Sequence, residues 1–99
     1  MNLSATHAVS VNPTTGEVVS SLPWASESEV DAAIALAAAG YRQWRQTPLA
    51  ARADALRRIG AELRARGEEV AQTITLEMGK PIAQARGEVA KSANLCDWY

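Results

Sequence analysis

The stretch LEMGKPIAQARGEVAK, Leu76 to Lys91, decides how this chain folds. Gly79 has no Cβ and so enters the left-handed region that ends a helix. Pro81 presets φ for the start of the next helix, where its missing N–H is not needed. Lys80 between them is pushed towards extended geometry by the proline that follows. The chain therefore stops, bends, and restarts as a last helix running from Pro81 towards Tyr99.

Working outward, that last helix shows Ile82, Ala85, Val89, Ala93 and Cys96 in helical phase. The helix before it carries Val70, Ile74 and Met78 as a narrow seam. Glu68 and Glu69 sit in its first turn, where negative charge suits the helix dipole. Further back, Leu49, Ala53, Leu56, Ile59 and Leu63 share a side, with Arg57, Arg58, Arg64 and Arg66 mostly turned away and Gly67 as a stop. Thr47-Pro48 reads as that helix's cap, with proline at its first position. Ser26 and Glu29 form a capping-box pattern ahead of a helix striped by Val30, Ala33, Ile34, Ala37, Tyr41 and Trp44.

Ala8 to Val11 and Glu17 to Leu22 read as short strands joined through Asn12 to Gly16, with residues 1–7 as a loose tail. A lone two-stranded hairpin is marginal in water, so it must lie against something. The expected fold is mainly α: an N-terminal β-hairpin (within residues 1–24) followed by four helices (residues 25–99). No repeat or flexible linker divides the helical part. The alanine-rich first helix and the terminal Trp98-Tyr99 pair both look shaped for a partner surface, as in an incomplete domain.

Composition narrows the function classes. Ninety-nine residues with a formal charge of −1 create no field for nucleic acid or anionic membrane. One cysteine forms no internal disulfide and fits a reducing cytoplasm. The alanine run from Ala32 to Ala39 is too short to span a bilayer, and MNLSATHAVSV has no basic lead or long apolar run. A cytoplasmic protein is the expectation.

Few side chains invite chemistry. Cys96 is in phase with Val89 and Ala93, so it reads as a small core residue and not as a nucleophile. His7 has no partner ligands near it in sequence, and the arginines of the second helix are interleaved with acids. Gly79-Lys80 does not follow a strand and lacks the upstream glycine of a phosphate loop, and no dinucleotide glycine fingerprint occurs.

Four stretches, in order, resemble the amino end of NAD(P)-dependent aldehyde dehydrogenases. Residues 77–89 are similar to that family's E-x-G-K-P-x-x-x-A-x-x-E-V segment, and Asn12 to Glu17 resembles its N-P-x-T-G-E turn. Ser26 to Ala33 is similar to its first-helix start. Ala90 to Tyr99 resembles the succinate-semialdehyde dehydrogenase branch. The resemblance implies an amino-terminal piece of a partial α/β aldehyde dehydrogenase fold, packed against the remainder of a longer chain that forms a homo-oligomer. It implies NAD or NADP in the intact enzyme, with the catalytic cysteine, glutamate and cofactor site outside residues 1–99. It further implies a monovalent cation held by the Ser10 or Val11 carbonyl and by Glu77, although an ordinary exposed glutamate explains Glu77 equally well. Lys91 would face the aldehyde tunnel and attract an acidic substrate, against the plainer reading of a solvated lysine. The competing reading is a self-contained helical interaction module, since apolar stripes speak only of packing.

Overall fold

The computed structural model describes residues 5–99. It contains two strands, β1 (His7–Val11) and β2 (Val18–Pro23), and then four helices. These are α1 (Glu27–Trp44), α2 (Leu49–Ala65), α3 (Gly67–Met78) and α4 (Ile82–Trp98). The mainly α reading with a leading hairpin holds.

The strands pair antiparallel from His7 opposite Pro23 to Val11 opposite Val18, with a bulge at Ser10/Val11. Gly16 takes φ 78, as the turn requires. The Asn12 side chain accepts from Thr14 N at 2.9 Å, and the Asn12 amide donates to the Glu17 carbonyl at 2.9 Å. The tail reading fails at its inner end, because His7 is half-buried in the ladder and the Trp24 amide donates to the Thr6 carbonyl. Backbone pairing continues two residues beyond the β-branched pattern. The first four residues of that tail lie outside the described ones.

Helix α1 starts as the sequence reads. Ser26 Oγ accepts from Glu29 N at 3.2 Å, and Glu29 Oε2 accepts from Ser26 N at 2.7 Å, closing the capping box. The two prolines sit one position earlier than expected. Pro48 and Pro81 are N-caps, because their carbonyls accept the first helical bonds, from Arg52 N at 3.1 Å and Ala85 N at 3.0 Å. Thr47 therefore caps nothing, and its carbonyl accepts from Arg52 Nε instead. Gly67 does not end α2 either. Arg66 closes α2 and opens α3, and Gly67 is the first residue of α3.

Packing is concentrated on α4, which crosses both α2 and α3. The buried apolar residues are all small: Ala71, Ala85, Val89 and Ala93, with Val70, Ile74 and Ile82 partly buried around them. Gly60 of α2 is buried as well. A Cβ on Gly60 would stand 3.0 Å from Cys96 Cβ and 3.1 Å from the Ala93 carbonyl, so this glycine sets how closely α2 and α4 approach. The expected α2 stripe is thus displaced: Ile59 and Leu49 are exposed, and Gly60 faces the crossing.

The assembly is flat, with extents of 49 × 40 × 15 Å. Its radius of gyration is 17.6 Å, against about 13 Å for a compact domain of about 100 residues. Helix α1 buries no residue, so its apolar stripe, Ile34 and Tyr41 included, faces outward. In the intact protein, Gly60→Val should lower unfolding free energy by about 1–3 kcal/mol, through overpacking at the α2–α4 crossing. Denaturant titration checks this, and unchanged or increased stability would show that α2 and α4 are not in close contact there.

Candidate functional site

Two features of the fold bear on function: the corner where the hairpin turn meets the α3–α4 junction, and the charged edge along α4. At the corner, Gly79 takes φ 70 and its amide donates to the Thr75 carbonyl at 2.9 Å, which ends α3 as expected. Pro13 of the hairpin turn lies directly over Gly79. This brings the segment holding Val11 next to the segment holding Glu77. Val11 ends β1, and Glu77 lies exposed in the last turn of α3. Lys80 Nζ reaches across the bend to Glu88 Oε2 at 2.8 Å. Lys91 is exposed on α4. It lies ten residues beyond Pro81, about 15 Å along the helix from the corner. The structure thus seats Pro13, two residues after Val11, on Gly79, two residues after Glu77, and leaves Lys91 apart.

Along the edge, Arg86 clasps Glu68 with two parallel bonds of 2.9 and 2.8 Å. Arg64 Nη2 donates to Asn94 Oδ1 at 3.1 Å and also pairs with Asp97. Arg66 and Glu69 form a further forked pair within one turn. The adjacent Glu68 and Glu69 thus have different partners, Arg86 and Arg66. Sequence periodicity missed the α2–α4 and α3–α4 pairs, because partners 18 to 33 residues apart leave no local signal.

The hydrogen bonds from Arg86 hold the Glu68 carboxyl below the ordinary glutamate range, and those from Arg66 do the same for Glu69. The Ser26 backbone amide, aided by the Ser26 hydroxyl, depresses Glu29. A groove of about 260 Å³ runs between Arg64, Glu68, Arg86, Val89 and Ala90. Its guanidinium groups are already matched by carboxylates, so it offers no unpaired charge to an anion. A second, more apolar depression of about 330 Å³ is lined by Gln72, Thr75, Leu76 and Ile82. There the buried Thr75 hydroxyl has no hydrogen-bond partner among the described residues.

Cys96 is half-buried against Gly60. No group of three or more metal-ligating side chains gathers among the described residues. The only sheet among the described residues is the hairpin, and neither strand runs through a glycine-rich turn into a helix. A glycine-rich turn leading from a strand into a helix is the arrangement that a doubly wound fold uses to seat a dinucleotide.

Comparison of the sequence with known proteins points to a family. Residues 2–99 match the aldehyde dehydrogenase family model, and the chain belongs to that family. It is 65% identical over 95 residues to the succinate semialdehyde dehydrogenase [NAD(P)+] Sad of Escherichia coli K12, covering 96% of this chain and 21% of that protein. It is 43% identical over 89 residues to the NADP(+) succinate-semialdehyde dehydrogenase of Deinococcus radiodurans, covering 90% and 19%. The glutarate-semialdehyde dehydrogenase of Pseudomonas aeruginosa is 35% identical over 88 residues, covering 89% and 18%. The chain spans about a fifth of the length of these relatives. No helix among the described residues is long and apolar enough to cross a membrane.

A carboxylate whose folded pKa is depressed adds stability above its unfolded pKa and loses it as pH falls through the folded value. Glu68 should therefore support the α3–α4 contact at neutral pH and release it in acid, below the usual glutamate range. Acid titration of Glu68→Gln followed by circular dichroism should show a shallower loss of stability than the parent. Superimposable curves would mean that the clasp contributes nothing.

Proposed function

We propose that this chain is the amino-terminal segment of an aldehyde dehydrogenase that oxidises succinate semialdehyde to the dicarboxylic acid with NAD(P)+. The observation that carries this is the 65% identity over 96% of the chain to a protein of that activity. The second similar succinate-semialdehyde enzyme supports it, and the glutarate-semialdehyde relative shares the feature of an acidic aldehyde.

On this reading the segment works as scaffold. The reacting groups and the nicotinamide site belong to the remainder of the chain, so residues 1–99 alone have no dehydrogenase activity. Covalent aldehyde oxidation needs nucleophile, base and oxyanion donors in one place. The outward apolar faces of α1 and of the hairpin support a covering role better than a free-standing module. The intact enzyme acts in the cytoplasm as a homo-oligomer.

Two residue roles belong to the same proposal. The Val11 carbonyl and Glu77 hold a monovalent cation at the hairpin corner, supported by the seating of Pro13 on Gly79. Lys91 draws the distal carboxylate of the substrate towards the tunnel, supported by its exposure on α4.

The product of the complete reading frame should reduce NAD+ or NADP+ with succinate semialdehyde faster than with propanal or benzaldehyde, read at 340 nm. Equal rates on the neutral aldehydes would remove the substrate assignment. Lys91→Ala should raise KM for succinate semialdehyde about tenfold with kcat little changed, as lost uniform binding does. An unchanged KM would take Lys91 out of the tunnel.

A further inference from the structure

We infer that Pro13 and Gly79 form a steric lock, making Gly79 a positioning residue for the hairpin as well as a helix stop. The usual reason for glycine here is φ 70, which asparagine also tolerates. The structure adds a second reason. A Cβ at position 79 would stand 2.9 Å from Pro13 Cγ and 3.9 Å from Pro13 Cβ. At 2.9 Å one of the two must move.

Neither side yields readily. The proline ring is tied to its own backbone at both ends, so Cγ does not swing away as the tip of a flexible side chain would. The turn around it is pinned by Gly16 N to the Asn12 carbonyl at 2.8 Å, and by bonds of 2.9 Å to Asn12 Oδ1 and the Glu17 carbonyl. On the helical side, Gly79 N is bound to the Thr75 carbonyl, and the Lys80–Glu88 pair spans the bend.

The hairpin has no extensive packing on any helix, and every residue of β2 is exposed. A small, close contact thus decides where the hairpin lies relative to α3 and α4. Displacing it would carry Val11 and the whole turn away from the corner.

The test is a double-mutant cycle in the intact protein with Gly79→Asn and Pro13→Ala. Asparagine accepts the left-handed backbone but brings a Cβ, and alanine at 13 removes the Cγ that it would meet. Amide exchange at Asn12 and Gly16 reads the turn, with Val89 as a reference inside α4. Gly79→Asn should speed exchange of the two turn amides about tenfold, and Pro13→Ala in the same chain should restore most of the protection. Additive effects, or no change at the turn in Gly79→Asn, would overturn the lock. Should Gly79→Asn not fold, recovery of folding in the double variant supports the lock, and failure of both overturns it.

Discussion

The crossing of α4 over α2 and α3 is the contact on which the helical structure depends, and it is made almost entirely by small residues. Gly60, Ala71, Ala85 and Ala93 let three helices approach closely, with Val89 the largest buried side chain. Close backbone approach gains dispersion contacts but removes little apolar area per residue. At roughly 25 cal/mol per Å², four such residues supply a modest hydrophobic stabilisation. The exposed ion pairs add little, since surface pairs are generally worth about 0–1 kcal/mol each. The segment is held in shape by geometry more than by buried area.

Where the large apolar residues lie makes the same point. Leu36, Leu49, Met78, Trp98 and Tyr99 are among the most exposed side chains, Trp98 at 81%. They spread over a plate only 15 Å thick. Large apolar side chains left exposed in such number are what a face covered by further protein would show. On the proposed reading the plate is one layer of a larger core, in keeping with relatives about five times as long.

What could be read from the sequence was local. Ser26 with Glu29, Asn12 with Gly16, and Gly79 all act within a few residues of themselves, and each behaves as its chemistry dictates. The α4 stripe was also legible, because Ala85, Val89 and Ala93 repeat at helical spacing. The α2 face was not, since periodicity favours Leu56 and Ile59 whereas the crossing selects Gly60. Ala71 was hidden for the same reason, being small and flanked by Val70. Arg64 reaching Asn94 and Asp97 left no trace in spacing. Of the candidate site, sequence supplied Val11, Glu77 and Lys91 only through family likeness, and only the fold shows that the first two lie on neighbouring segments. The seat of Pro13 on Gly79 was invisible, because it joins two turns more than sixty residues apart in the chain.

On the proposed reading, residues 1–99 form a layer that further chain completes, and they bury too little area to stand alone. Differential scanning calorimetry of the 99-residue chain by itself tests this most directly. The account predicts a broad, low-enthalpy transition, well below the roughly 60–80 kcal/mol of a cooperative domain of about 100 residues. A sharp transition of full enthalpy, independent of protein concentration, would show a self-sufficient fold and contradict it.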